Sequence, residues 1–210
     1  MKIFTLEGLP LAGKSTTGTI ICEYFNNIGI KSVYKHGQIT DNYKAQNCIH
    51  KAFQCLEKWD YKNPEYLFDF IKYRYEQLHI DFFEFHNHLD RYMDVEYLFI
   101  DRYIGGHNIT ASTFGYDIPN SDISSKFDEL LTMEILLTCD YEERKKRAMI
   151  REKTNNLTEY SLLTKEIHSF MQDQHILSSQ ANKKSRIISS HSYEKLKKDI
   201  IGEINERILL

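Results

Sequence analysis

Proline and tryptophan are scarce in this chain, with three prolines and one tryptophan among 210 residues. Prolines stand only at Pro10, Pro64 and Pro119, so long uninterrupted helices are permitted and a proline-rich linker is excluded. Neither sign of charge dominates, since 27 Lys and Arg against 30 Asp and Glu leave a formal charge of -3. Such a balance offers no global field to nucleic acid polymers or an anionic membrane, so an anionic ligand has to be held by a local site. No apolar run is long enough to span a bilayer. The four cysteines (Cys22, Cys48, Cys55, Cys139) contain no CxxC pair, and no signal-peptide pattern opens the sequence. Both features point to a reducing, cytoplasmic setting, with Cys48 and Cys55 as core residues rather than metal ligands.

What the chain does contain is an alternation of two periodicities. Lys2 to Leu6, KIFTL, reads as a buried strand, and Lys14 to Asn27 as a helix that Gly29 can stop. Ile30 to Tyr34 reads as a second strand and Tyr43 to Lys58 as a helix, after which Asn63-Pro64 starts a long amphipathic helix reaching about Met93. Val95 to Ile100 and Met133 to Cys139 form a third and fourth strand, and Arg186 to Ser189 a weaker fifth. Charged helices are expected at Tyr141 to Glu152 and Glu159 to Ala181, and a last one over Tyr193 to Ile208. Gly115 to Ser125 and Lys153 to Thr158 are the most loop-like interior stretches. Strands alternating with helices imply parallel crossovers, an α/β fold with its sheet covered on both faces, and one domain over residues 1–210.

One stretch carries chemistry by its spacing. Gly8-x-x-x-x-Gly13-Lys14-Ser15 matches a Walker A loop and lies where such a loop must, between a strand and a helix. Glycines let successive N–H groups turn inward toward phosphate oxygens, and the helix N-terminus adds partial positive charge. Lys14 then reaches the outer phosphates, and the Ser15 hydroxyl is a ligand for Mg²⁺. Asp101 ends a buried apolar strand, where an acid can organise a metal or take a proton beside that loop, and Arg102 follows it.

These residues carry a resemblance. FTLEGLPLAGKST followed by LFIDRYIGGHNITAS is similar to the thymidylate kinase and deoxynucleoside kinase superfamily of P-loop kinases. FIKYR at Phe70 to Arg74 resembles the element under the acceptor base in thymidylate kinases, and YEERKKRAMIREK resembles their arginine-bearing lid. The resemblance implies a three-layer α/β/α sandwich with a five-stranded parallel sheet and a lid at about 141–158. It implies ATP- and Mg²⁺-dependent phosphoryl transfer to a nucleoside monophosphate or nucleoside, dTMP by default, in a protein that pairs as a homodimer.

Roles follow under that resemblance. Gly8, Ala12, Gly13, Lys14, Ser15 and Thr16 hold the ATP phosphates, and Ser15 with Asp101 holds Mg²⁺. Lys14, Asp101, Arg102, Arg147 and Arg151 are the catalytic set; the last two are four apart and share a helix face. Glu7, Phe70, Arg74, Arg102 and Tyr103 bind the acceptor. Phe70 and Arg74 lie one turn apart, so an aromatic face and a guanidinium address one planar ligand.

The chain departs from the pattern on the acceptor side. Leu9-Pro10-Leu11 is apolar where thymidylate kinases keep an acid for the acceptor sugar, and Lys35-His36-Gly37 replaces their Arg-Glu-Pro element. The Ser and Gln expected after Asp-Arg-Tyr are replaced within Gly106 to Ala111, and His36 or Gln38 stands near the glutamate base of deoxynucleoside kinases. A related kinase with another acceptor is therefore an alternative, as is a non-catalytic nucleotide-binding protein, although no Asn-Lys-x-Asp guanine signature occurs. His86 and His88 point to different helix faces, and the remaining histidines show no ligand spacing.

Overall fold

Residues 1–116, 122–151, 154–189 and 193–208 are described by a computed structural model of the chain. Strand β1 (Lys2–Glu7) sends alternate side chains to opposite faces, Phe4 and Leu6 into one core cluster and Ile3 into another. It is the central strand of a five-stranded sheet completed by β2 (Ser32–His36), β3 (Tyr97–Asp101), β4 (Leu131–Thr138) and β5 (Ser185–Ser189). The order is β2-β3-β1-β4-β5, and every pairing is parallel. With helices on both faces, β3 is buried along its whole length, so its sequence is apolar without alternation up to its last residue, Asp101.

Helices α1 (Lys14–Asn27) and α9 (Tyr193–Ile208) cover one face, with Ile21, Phe25, Ile200 and Ile204 packed on Phe4, Phe99 and Ile135. The other face is covered by α3 (Pro64–Asn87), α4 (Ile104–Thr113) and α5 (Asp122–Leu130), through Leu78, Phe82, Ile104 and Phe127. Helix α2 (Tyr43–Lys58) lies on α3 through a third cluster holding Ala52, Leu56, Phe70 and Ile71. Helices α6 (Tyr141–Ile150), α7 (Asn156–Tyr160) and α8 (Lys165–Ala181) follow β4, and α8 packs against α4 and β4. None of the helices among the described residues is long and apolar enough to cross a membrane.

Because β1 pairs with β3 on one side and β4 on the other, a crevice opens beyond its carboxyl end. That crevice is where the Gly8–Ser15 loop leaves the sheet.

Several boundaries differ from the sequence reading. The long helix ends at Asn87, and residues Leu89–Tyr92 form one 3-10 turn instead of its continuation to Met93. The helix expected over Glu159 to Ala181 is two helices, α7 and α8, because the Thr164 hydroxyl accepts the Ile167 N–H at 3.2 Å and starts a new one. Of the loop-like stretch Gly115 to Ser125, residues 117–121 lie outside the described residues, and Asp122–Leu130 is helical with Ile123 and Phe127 buried. In the other loop-like stretch, Lys153 lies outside the described residues and Asn156–Tyr160 forms α7.

Candidate functional site

The loop after β1 is shaped by steric necessity. Gly8 has φ +125°, and a Cβ there would sit 2.3 Å from the Leu137 carbonyl oxygen of β4, so only glycine lets the chain turn off the sheet. Leu11 is also left-handed, at φ 67°, an uncommon state for a leucine that marks a loop held by its surroundings. Gly13 caps α1, and Lys14 is its first residue. The Lys14 ammonium is buried and donates to the carbonyls of Gly8 at 2.6 Å and Leu9 at 2.7 Å. Burial, and then the Arg102 charge, push its pKa well below the ordinary lysine value, while Glu7 and Asp101 oppose that shift. Ala12 is buried, and Ser15 and Thr16 are exposed on the first turn of α1.

Asp101 collects three donors at the end of β3. Its Oδ2 accepts the Ser15 hydroxyl and the Tyr34 hydroxyl, both at 2.8 Å, and its Oδ1 lies 2.5 Å from His36 Nδ1. Burial alone would raise Asp101, but hydrogen bonds from His36, Ser15 and Tyr34 hold it below the usual carboxylate range. Ser15 and Asp101 thus present two hard oxygens side by side, the donor type that Mg²⁺ takes when phosphate oxygens and water complete its shell. Among the described residues no group of three His, Cys, Asp or Glu side chains could hold a metal unaided. The residues present fit a metal that arrives with a polyphosphate.

Arg102 turns away from β3 in the left-handed region, at φ 56°, and lines the cleft. Glu7 is buried, not solvent-facing; its Oε1 accepts the Tyr103 N–H at 3.2 Å, and the Gly106 N–H is donated to the same carboxylate. It therefore caps the start of α4, and a Cβ on Gly106 would come within 2.1 Å of its Oε2, so the close approach of this carboxylate leaves no room for a side chain there. Burial and the nearby Glu134 carboxylate raise Glu7 to about 8.

The side of the cleft away from the loop is walled by α2, α3 and α4. Phe70 is buried at its edge beside Phe53, with ring centroids 6.3 Å apart. The Arg74 guanidinium is held by Gln77 Oε1 at 2.6 Å and the Arg102 carbonyl at 3.3 Å, which couples α3 to the turn after β3. Phosphate loop, Arg102, Phe70 and Arg74 line one cleft with about 1050 Å³ of empty space, its open mouth included.

Two expectations need correction. Tyr103 does not line this cleft: it is fully buried with its ring against Phe127, and its hydroxyl donates to Asp81 Oδ2 at 2.9 Å. Asp81 also accepts from the Ile39 and Thr40 N–H groups and the Thr40 hydroxyl, so Tyr103 belongs to a buried knot joining α3 to the segment after β2. Arg147 and Arg151 do not share a face of one helix, because α6 ends at Ile150. Arg147 donates to the Leu11 carbonyl at 3.0 Å and to Glu143, while Arg151, just beyond α6, is exposed and near enough to Arg102 to lower its pKa.

The arginine that engages the loop most deeply is Arg144, which sequence reasoning passed over as part of a charged helix. It is fully buried and donates to the Pro10 carbonyl at 2.8 Å, the Ser161 hydroxyl at 2.6 Å and the Ser161 carbonyl at 3.3 Å. No local signal in the run 142–147 distinguishes it, because only the docking of α6 makes residue 144 its buried member. Of the lid stretch 141–158, residues 152 and 153 lie outside the described residues. Helix α7 rests on the end of α2, where the Asn156 amide donates to the carbonyls of Glu57 and Trp59, and Asn155 and Leu157 face the cleft. Two histidines set aside for lack of spacing, His107 of α4 and His175 of α8, also line it.

A parallel sheet ordered 2-3-1-4-5, with a glycine-bounded loop entering α1 and an acid ending the neighbouring strand, defines the P-loop kinase fold. No protein-family model matches the sequence, and neither does any curated protein. Among solved structures, thymidylate kinase from Ehrlichia chaffeensis is similar at 18% identity over 97% of this chain and 98% of that one, with a TM-score of 0.56. Thymidylate kinase from Candida albicans is similar at 15% identity over 98% and 92%, with a TM-score of 0.61. Deoxyadenosine kinase from M. mycoides is similar at 14% identity over 97% and 99%, with a TM-score of 0.56. At these identities the likeness shows the shared fold across almost the whole chain.

Proposed function

We propose that this protein transfers the γ-phosphoryl group of ATP, in the presence of Mg²⁺, to a nucleoside monophosphate or nucleoside, with dTMP as the default acceptor. The observation that carries the reading is the single cleft joining the Lys14 loop, through Arg102, to Phe70 and Arg74. Mg²⁺ supplies charge neutralisation on the phosphates when bound. Lys14 and the loop N–H groups hold the donor phosphates, Ser15 and Asp101 present the metal-binding oxygens, and Arg102 stands between donor and acceptor. Arg147, which donates to the Leu11 carbonyl, balances the negative charge that spreads over the transferred group, and Arg151 adds its charge beside Arg102. Phe70 stacks on the acceptor base while Arg74 donates to its edge.

A related kinase with another acceptor is the second reading, favoured by one specific feature. Leu9 is buried and the loop Leu9-Pro10-Leu11 offers no side-chain polar group to an acceptor sugar. ADP release from Mg·ATP across a panel of nucleosides and monophosphates decides between the two. Turnover with dTMP supports the first, and silence with dTMP but turnover with another member supports the second. Thermal stabilisation by GTP and not ATP, with none by any nucleoside or monophosphate, overturns both.

A further inference from the structure

The Ser15–Asp101 pair is joined from the edge strand β2 by the hydroxyl of Tyr34. His36 pairs with Asp101 in the parallel register, and Tyr34, two residues earlier, presents its side chain on the same face of the sheet. Both therefore reach one carboxylate, which is itself fully buried. Tyr34 donates to Asp101 Oδ2 at 2.8 Å, the Ser15 hydroxyl donates to that same oxygen at 2.8 Å, and His36 Nδ1 lies 2.5 Å from Oδ1. The adjacent helix makes room for this tyrosine. A Cβ on Gly18, in the interior of α1, would sit 2.4 Å and 2.5 Å from two carbons of the Tyr34 ring. Gly18 is not among the glycines with positive φ, so the close approach of the ring, not a left-handed backbone, excludes a side chain there. Glycine in a helix interior is less favourable than alanine by about 1 kcal/mol, which α1 bears at this contact.

A carboxylate oxygen has two acceptor positions, and at Oδ2 one is taken by Tyr34 and the other by Ser15. The Ser15 hydroxyl, exposed on the first turn of α1, is free to rotate toward another partner, whereas the Tyr34 ring is braced against Gly18. We propose that Tyr34 is a positioning residue for the divalent metal: its hydroxyl holds the Asp101 carboxylate in the orientation that, together with Ser15, offers oxygens to Mg²⁺ arriving with a polyphosphate. This assignment rests on the phosphoryl-transfer reading above and deepens it at the metal-binding residues. Groups that hydrogen-bond a ligating carboxylate fix its direction, and their removal lowers metal affinity about 10–100-fold. A phenol does this without the positive charge that an arginine or lysine in its place would set against the metal.

Tyr34→Phe tests the assignment, because it keeps the ring against Gly18 and removes only the hydroxyl; a calorimetric Tm reports that the fold is intact. Binding of the non-hydrolysable ATP analogue AMP-PNP to the full chain is measured by titration calorimetry in EDTA and in saturating Mg²⁺. Binding of Mn²⁺ to the nucleotide-loaded protein is followed by electron paramagnetic resonance. Wild-type protein is expected to bind AMP-PNP more tightly with Mg²⁺ than with EDTA. In Tyr34→Phe the affinity in EDTA is expected to be unchanged, while the gain from Mg²⁺ and the affinity for Mn²⁺ each fall by about tenfold. A merely structural role would weaken binding alike in both conditions, and that result overturns the proposal. So does a Tyr34→Phe protein that keeps the full gain from Mg²⁺ or binds Mn²⁺ more tightly than the wild type. A wild type that does not bind AMP-PNP, or binds it with no gain from Mg²⁺, overturns the phosphoryl-transfer reading along with this one, whereas a full gain in both proteins overturns this one alone.

Discussion

Arg144 Nε donates to the Pro10 carbonyl at 2.8 Å, so the fully buried arginine of α6 fastens the apolar part of the phosphate loop from behind. Its other nitrogens reach Ser161 and His168 Nδ1, tying the loop to the turn before α8. Arg144→Met leaves the Pro10 and Ser161 acceptors buried without donors and is expected to destabilise the fold by on the order of 3 kcal/mol. In a chain of this size that lowers Tm by about 10 °C, measurable by calorimetry. Arg144→Lys is not expected to rescue it, because an ammonium cannot address three directions in one plane.

Gly106 is required by Glu7. Gly106→Ala places a methyl group 2.1 Å from Glu7 Oε2 and displaces the carboxylate that caps α4, with an expected cost of about 1–3 kcal/mol in chemical denaturation. Gly202→Ala in α9 is the control: its added Cβ meets nothing within 4 Å, and helix propensity predicts a gain of up to about 1 kcal/mol. Equal effects of the two would show that packing against Glu7 is immaterial.

Lys14→Ala is expected to reduce ADP release by about 10²–10³-fold, the usual cost of removing one preorganised cation or donor from a transferring phosphoryl group. Asp101→Asn should leave the Ser15 and Tyr34 hydroxyls an oxygen to donate to while weakening the Mg²⁺ requirement's signature, seen as a higher Mg²⁺ concentration for half-maximal rate. Chelation of Mg²⁺ should abolish turnover in both wild type and variant.

Stability should fall on both sides of a maximum, for opposite reasons. His107 and His175 are pushed to about 3 and His168 to about 4, chiefly by burial, against an ordinary 6.5. Their folded values are depressed, so the stability they permit is complete above 6.5 and is lost as pH falls toward 3. Glu7 is raised from 4.5 to about 8, so its contribution is complete below 4.5 and is lost as pH rises to 8. Denaturant unfolding against pH should show Glu7→Gln flattening the alkaline limb and His175→Leu flattening the acid one. An unchanged alkaline limb in Glu7→Gln would contradict the raised carboxyl.

The five strands were legible because each is a short apolar run bounded by polar or turn residues, and burial on both faces of a parallel sheet demands that pattern. Lys14, Ser15 and Asp101 were legible because the loop spacing and the strand end are local features. Tyr103 was misread for the opposite reason: its position next to Arg102 puts it near the cleft in sequence, but adjacent residues leaving a strand point to opposite sides, and Asp81, 22 positions away, captures its hydroxyl. Arg144 was hidden in a run of charges whose inward member cannot be picked without knowing where α6 docks.

The sequence by itself determined the alternation of strands and helices, the glycine-bounded loop and the acid at the end of β3, since these depend on residues within a few positions of one another. Only the tertiary structure decided which polar groups face the cleft and in what state. The N–H groups capped by Glu7, the donors on Asp101 and the bond from Arg144 to Pro10 all join segments distant along the chain. Their energetics depend on burial and on partners that meet only once the sheet has assembled.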